Sequence, residues 1–429
     1  MLKRWLSLSM IVVMTTLLWA ASAAVAAAKE VTIEYWQYYY ESKVKLMTDL
    51  IKQFEEENPG IRVEQKTFPY EQFNQKVAIS VPAGTGPDVV NLYYGWVPKY
   101  VEGGYLQPLP TDAFPPSTIQ KEFLPMVDAA KLNGQYWGLP TAVRALALFW
   151  NKDLFKEAGL DPNAPPQTWE QLQDYAIKLT KRDKNGQLVQ EGYAWNADGQ
   201  DNHVFIQVLL RQWGVTPFSA DNKQVLWNSK PGGYEAFQWW TDLAARYRVG
   251  DPTFMGDYRT AFITGKAAMM IDGSFALGTL RDKAKGINWG VTTLPVRAAN
   301  PSVRANVGSF WMNALTVNAK GEKRDAAIKF LKFLTSPEVM KVWLEQVGEL
   351  PARLALTEDP ALQKDPVYGP FLAGLKYAYA TFFVDETSER QAIIDATNEV
   401  RLQGANPKAA LDRLVANEQK IRDEYFGNR

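Results

Sequence analysis

Hydrophobic and polar positions along this chain switch between a period of two and a period near 3.6. Val31 to Trp36 alternates as a short strand, and Ser42 to Glu57 carries Leu46, Leu50, Ile51 and Phe54 at helical spacing. Asn58-Pro59-Gly60 stops that helix, and Ile61-Arg62-Val63-Glu64 reads as the next strand. Strand, helix, strand predicts a parallel crossover and so an α/β lobe. Phe73 to Ile79 reads as a helix, Pro82 to Pro87 as a turn and Asp88 to Leu92 as another strand. The Gly/Pro-punctuated segment Gly134 to Pro140 then feeds an apolar strand and a short helix. Thr168 follows as an N-cap with Gln171 three residues on, the spacing of a capping box. Further helices are predicted over Trp169 to Lys181, His203 to Trp213, Gly233 to Tyr247, Tyr258 to Thr264, Lys323 to Leu334, Pro337 to Val347 and Pro407 to Tyr425.

The amino terminus has a different pattern. Lys3 and Arg4 precede an apolar stretch from Trp5 to about Trp19, and Ala26-Ala27-Ala28 supplies small residues before Lys29-Glu30, the layout of a secretory signal peptide cleaved after Ala28. Trp5 to Ala28 is also long enough for an uncleaved membrane anchor. No later apolar stretch reaches spanning length. The chain holds no cysteine, which removes disulfides, thiol chemistry and a lipid-bearing cysteine from consideration. These features predict a mature protein free in the periplasm.

The 429 residues balance 47 basic against 47 acidic side chains, and loss of Lys3 and Arg4 shifts the formal charge to about −2. That balance argues against a nucleic-acid partner. The mature length exceeds what one hydrophobic core serves, so two domains are expected. Flexible linker runs are absent from the sequence, which predicts lobes joined by short ordered crossovers.

Three segments carry a resemblance, in the right order. They are Phe54-Glu55-Glu56-Glu57-Asn58-Pro59-Gly60-Ile61-Arg62-Val63, then Ala83-Gly84-Thr85-Gly86-Pro87-Asp88-Val89-Val90, then Gly134 to Pro140 running through Ala145 to Phe155 and Pro165 to Leu172. Together they resemble the extracellular solute-binding proteins of ABC importers, the family that includes maltose-binding protein. The resemblance implies an α/β, two-lobed periplasmic binding protein fold of type II, with discontinuous lobes joined by hinge crossovers. It places residues 29–142 plus 294–338 in the first lobe and 143–293 plus 339–429 in the second. Crossovers would fall near Val143-Arg144, Val291 to Pro295 and Ser336-Pro337.

Ligands of open α/β sheets sit beyond the carboxyl ends of strands, so loops there face the cleft. After the first strand come Trp36, Tyr39 and Tyr40, aromatics of the kind that stack on sugar rings; the alternative is core packing for Trp36 and Tyr38. Tyr94 and Trp96 stand where similar proteins carry a carboxylate and an arginine, and ordinary interlobe packing is their alternative role. Arg144 occupies the position of a ligand-binding glutamate in the maltose-binding relative. It can only donate, which leaves acidic sugars open, with a hinge salt bridge as the alternative. By resemblance, Trp195 and Asp201 approach the cleft, although Asp before a helix is also a cap. Phe275, Trp311 and Arg353 complete the ligand-binding set, with Glu349 a weaker choice than Arg353. Asp88 reads as structural, and His203 as a helix-start residue without a functional role.

No nucleophile elbow, phosphate loop, zinc spacing or Ser/His/Asp set is legible, and a single histidine limits acid–base schemes. No catalytic residue, metal or cofactor is expected. The expected partners are a sugar, mono- or oligosaccharide, and the permease subunits of an ABC transporter, with the protein a monomer. A polyamine, a phosphodiester or ferric ion on the same fold remain alternatives, as does a secreted glycoside hydrolase, which needs only two carboxylates. Ferric binding in relatives uses a late tyrosine pair, and no late Tyr-Tyr occurs here.

Overall fold

The computed structural model describes residues 30–197 and 200–427, with backbone alone for 200–203. The chain opens with β1 (Val31–Tyr38), α1 (Glu41–Glu57), β2 (Ile61–Phe68), α2 (Tyr70–Ser80) and β3 (Val89–Tyr93). Next come β4 (Leu139–Arg144), β5 (Leu146–Asn151), α3 (Trp169–Leu179), α4 (Gln200–Gln212), α5 (Pro231–Ala245) and α6 (Tyr258–Ile263). β6 (Met269–Gly273), β7 (Trp289–Thr292) and β8 (Ser309–Leu315) lead to α7 (Gly321–Leu334), α8 (Pro337–Gln346), β9 (Leu350–Pro351), α9 (Glu386–Gln403) and α10 (Pro407–Gly427).

Two sheets organise these elements. The first lobe holds six strands in the order β9-β4-β8-β3-β1-β2, and the second is built on β6-β5-β7. β1 runs parallel to both β2 and β3, as the strand–helix–strand pattern predicts. α1 buries Leu46, Met47, Leu50, Ile51 and Phe54, and the Phe54 ring lies 5.0 Å from Phe330 and 5.5 Å from Phe333 of α7. Gly60 takes φ +90°, a left-handed turn that a side chain would strain, and returns the chain into β2. The Thr168 hydroxyl accepts from the Gln171 N–H at 3.1 Å, whereas the Gln171 side chain reaches back to the Gln167 N–H at 2.9 Å. The cap therefore forms with its return bond displaced by one residue.

β4 and β5 are separated by Ala145 alone. Arg144 still pairs with Ser309 in the first sheet, and Leu146 already pairs with Gly273 in the second. The return passage lies beside it: Asn306 accepts from the Leu146 N–H at 3.0 Å and donates to its carbonyl at 2.8 Å, three residues before Ser309 enters β8. The chain thus re-enters the first sheet at Ser309. Residues 294–305 stay with the second lobe because Val296 exchanges backbone bonds with Gln167 and Trp169, each at 3.0 Å. α8 packs on β4, β9 and α1, and Leu350–Pro351 pairs with Val143 and Ala142, so residues 337–351 extend the first lobe. Segments after that strand return to the second lobe, where Gly369–Leu375 packs on β5 and β7.

Candidate functional site

The carboxyl ends of β1 and β3, the start of β8 and the end of β4 meet on one side of the first sheet. Trp311 stands at their centre and is 7 % exposed. Its ring centroid lies 4.3 Å from Tyr38, 5.3 Å from Trp96, 5.8 Å from Tyr93 and 6.2 Å from Tyr70. Such tilted and edge-on contacts favour aromatic rings beyond area burial alone.

Behind this cluster a charged pair is buried. Lys43 Nζ donates to Glu349 Oε1 at 2.6 Å and to the Tyr38 hydroxyl at 2.9 Å, while the Trp343 indole N–H donates to Glu349 Oε2 at 2.8 Å. Burial alone would lower the Lys43 pKa, but the Glu349 carboxylate and the Tyr38 oxygen outweigh it and hold the ammonium above its ordinary range. Burial pushes the Tyr38 phenol up, so its proton stays on. A small cavity lies here, lined by Gln37, Tyr38, Lys43, Thr141, Trp311 and Glu349 among others. The Gln37 side-chain amide is 3 % exposed, and its Nε2 has no hydrogen-bond partner among the described residues.

The second lobe offers Phe275 at the carboxyl end of β6. Two guanidinium groups lie over its ring, Arg259 at 4.7 Å and Arg144 at 5.1 Å from the centroid, and Tyr40 meets it edge-on at 6.1 Å. Asp272, fully buried, holds Arg259 in a two-pronged bond of 2.5 and 3.0 Å. That carboxylate overcomes the burial that would lower Arg259, so the guanidinium stays charged. Arg144 Nε donates to the Ser309 hydroxyl at 2.5 Å, tying the first passage to the start of β8. A second small cavity is lined by Leu146, Tyr193, Trp195, Asn196, Tyr258 and Ile271 among others.

The two lobes also touch directly. Tyr40 and Thr279 hydroxyls lie 3.1 Å apart, the Trp96 indole donates to Glu386 at 2.8 Å, and Lys99 pairs with Asp385 at 3.0 Å. Glu386 is 1 % exposed and burial raises its pKa, although Arg390 and the Trp96 bond work the other way.

The residues named from sequence divide accordingly. Tyr40, Trp96, Arg144, Phe275 and Trp311 come together around the cleft, and Trp195 lines the second-lobe cavity. Trp36 does not join them: its indole donates to Glu34 at 2.9 Å and its ring packs on Phe68, so it serves the sheet edge. Tyr39 is 55 % exposed and outside the cluster. Tyr94 is buried against Phe310 at 4.8 Å and accepts from the Thr381 N–H, a core role. Arg353 binds Glu122 and the Thr335 carbonyl and covers Phe123, away from the cleft, whereas Glu349 reaches it. The side chains of Asp201 and His203 lie outside the described residues. Asp88 accepts from the Glu34 N–H at 2.9 Å, the structural role read for it. Lys43, Arg259, Asp272 and Arg390 were not singled out by sequence reasoning. An ionisable residue in register with an apolar face, as Lys43 is with Met47 and Leu50 of α1 and Asp272 is within β6, was the available signal. Among the described residues no group of three or more His, Cys, Asp or Glu side chains is placed to hold a metal ion.

Comparison with known proteins agrees with this architecture. A solved ABC transporter solute-binding protein from Thermotoga lettingae, bound with α-D-tagatose, superposes with a TM-score of 0.81 over 92 % of this chain and 100 % of its own, at 24 % identity. A maltotriose-binding protein of Pyrococcus abyssi is 28 % identical over 80 % of this chain and 71 % of its own length. The sn-glycerol-3-phosphate-binding periplasmic protein of Shigella dysenteriae is likewise 28 % identical, over 75 % of this chain and 74 % of its own. The sequence signature of bacterial extracellular solute-binding proteins matches residues 49–370, three quarters of the chain, and the chain belongs to that family.

Proposed function

We propose that the protein captures a carbohydrate in the cleft between its lobes and presents it to the permease of an ABC importer. The observation that carries this reading is the pairing of aromatic faces, Trp311 and Tyr38 opposite Phe275, with the unpartnered buried donor Gln37 Nε2 at the cavity wall. A sugar ring offers an apolar face to the rings and hydroxyl oxygens to the amide, which relieves the cost of about 1–3 kcal/mol for a buried unpaired donor. Most of the cleft's cations are already matched, which favours a polyol over a polyanion: Lys43, Arg259 and Arg390 each face a carboxylate, in Glu349, Asp272 and Glu386, while Arg144 is tied to the Ser309 hydroxyl. The relative named for maltotriose points the same way.

Binding of this kind works by population shift. A ligand that touches both walls favours the closed arrangement by its differential contacts, and the interlobe bonds of Tyr40, Trp96 and Lys99 add to that arrangement without touching the ligand. The permease then reads the closed shape. Residues 1–28 direct export, and the mature protein works outside the cytoplasm as a monomeric binder, not a catalyst. Thermal unfolding of residues 29–429 against neutral mono- and oligosaccharides, uronic acids, glycerol 3-phosphate and polyamines tests the reading. A ligand at a thousand times its dissociation constant adds about 4 kcal/mol of stability. A midpoint shift confined to glycerol 3-phosphate or a polyamine would replace the carbohydrate reading.

A further inference from the structure

The second lobe carries a groove that shares only Trp195 with the second-lobe cavity described above. It is about 520 Å³ in volume and runs between the hairpin of residues 181–190, the loop 248–254 and the carboxyl end of α9. Arg182, Arg248 and Arg401 line it, with Trp195 and Phe254 as aromatic wall.

The three arginines differ from most of the other described arginines. Arg62, Arg259, Arg297, Arg353, Arg390, Arg413 and Arg422 all lie within ion-pair distance of a carboxylate. Arg182 instead donates to the carbonyls of Gly186 at 3.1 Å and Arg248 at 2.8 Å, and Arg401 to the Asn398 amide oxygen at 2.8 Å. None of the three forms an ion pair among the described residues, and the Arg248 guanidinium makes no hydrogen bond there. One acid, Asp251, faces them. Burial opposes its ionisation, but the Thr253 N–H and hydroxyl and the nearby Arg401 and Arg182 charges hold its pKa below the ordinary range. The groove therefore keeps a surplus of two positive charges, which attracts an anion into a concave site.

The loop presenting these groups is fixed in place. Arg248 (φ 51°) and Met255 (φ 56°) both sit in the left-handed region that side chains avoid, and such outliers persist only where surrounding structure enforces them. The buried Glu191 supplies one constraint, accepting from the Asp251 N–H at 2.7 Å. Gly250 supplies another: a Cβ there would lie 2.4 Å from the Tyr193 carbonyl oxygen and 2.9 Å from the Trp195 ring. Forked donors beside flat aromatic faces match a carboxylate carried on a sugar ring, with the guanidinium taking the acid and the ring lying on Trp195 or Phe254.

We infer that this groove is a second binding site, for an acidic saccharide held through its carboxylate by Arg248 and Arg401. The inference does not depend on what the cleft binds. The test is calorimetric titration of residues 29–429 with trigalacturonate, maltotriose and inorganic phosphate, using the native sequence, Arg248→Gln, Arg248→Gln/Arg401→Gln and Trp311→Ala. The expected result is trigalacturonate binding that weakens about tenfold in Arg248→Gln and further in the double variant, weakens with added salt, and is unchanged in Trp311→Ala. The Arg248 guanidinium is exposed and forms no hydrogen bond or ion pair among the described residues, so its replacement leaves the fold intact, which the unfolding midpoint verifies. No trigalacturonate binding by the folded protein would overturn the inference. So would binding unaffected by Arg248→Gln, or binding lost in Trp311→Ala. Phosphate binding as tightly as trigalacturonate, with the same dependence on Arg248, would overturn the saccharide assignment.

Discussion

Replacing Glu349 by glutamine tests how the first wall of the cleft is held. In the native protein the Glu349 carboxylate satisfies both the Lys43 ammonium at 2.6 Å and the Trp343 indole at 2.8 Å, and the Lys43 and Glu349 side chains are 8 % and 9 % exposed. Glutamine keeps one acceptor oxygen. Its amide nitrogen then faces either the ammonium or the indole, donor against donor, and Lys43 loses its counter-charge. Breaking a buried pair from one side costs about 3–5 kcal/mol. At the lower end of that range the unfolding midpoint of the first lobe falls by about 6–12 °C.

The pH dependence carries the sign of the mechanism. In the native protein Lys43 has a raised pKa, so its contribution is fully present below its ordinary 10.5 and lost only as pH rises through the folded value. In Glu349→Gln burial acts without the carboxylate, and the folded pKa drops below the unfolded one. The unfolded state then binds the extra proton, so the deficit is largest at low pH and shrinks as pH approaches the ordinary lysine range. Lys43→Met added to Glu349→Gln removes the stranded charge and recovers part of the loss. Urea unfolding at pH 6, 8 and 10 measures all three proteins. A deficit below about 1 kcal/mol, or one that does not change with pH, would refute the argument that the pair is desolvated and coupled.

Other outcomes follow from the same geometry. Gln37→Leu removes the orphaned donor at the cavity wall and should weaken sugar binding by about tenfold, read by calorimetry, while leaving the unfolding midpoint unchanged or higher. Trp96→Phe loses the bond to Glu386 across the lobes; affinity should fall although phenylalanine keeps an aromatic ring beside Trp311, and solution scattering should show a more open apo protein. Glu191 is buried with its pKa pushed up to about 8, so the folded state holds a proton that the unfolded state releases above about 4.5. Native stability therefore declines across that window and levels above about pH 8. Glu191→Gln, which retains an acceptor for the Asp251 N–H, should flatten the decline in a pH series of thermal melts. Mass spectrometry of the exported protein should find Lys29 as its first residue.

The alternating strands and helices were legible because β1, α1, β2 and β3 each follow one local period. The first passage was readable only through the family resemblance, which implied a crossover near Val143-Arg144; β4 and β5 are buried throughout and show no alternation. The later passages were not legible. Whether residues 294–305 join the first or second lobe depends on backbone bonds between Val296 and the segment around Thr168, more than a hundred residues away in sequence. α9 escaped prediction because its buried face includes Glu386 and Glu389 beside Ala392, Ile393 and Ala396, so its apolar stripe begins with acids. Side-chain direction decided the site. Trp36 and Tyr94 share composition with Tyr38 and Trp96, yet the first pair packs on Phe68 and Phe310 and the second on Trp311. Arg353 and Glu349 stand four residues apart, and the turn through Leu350–Pro351 sends the acid, not the arginine, to the cavity.

The central claim is that the interlobe cleft holds a carbohydrate. Calorimetric titration of residues 29–429 with the saccharide that raises the unfolding midpoint most, repeated on Gln37→Leu and Trp311→Ala, tests it most directly. The account predicts a cleft site of one sugar per protein, with binding at least about tenfold weaker in each variant. Sugar binding of equal strength in all three proteins, or a folded protein that binds none of the saccharides, would contradict it.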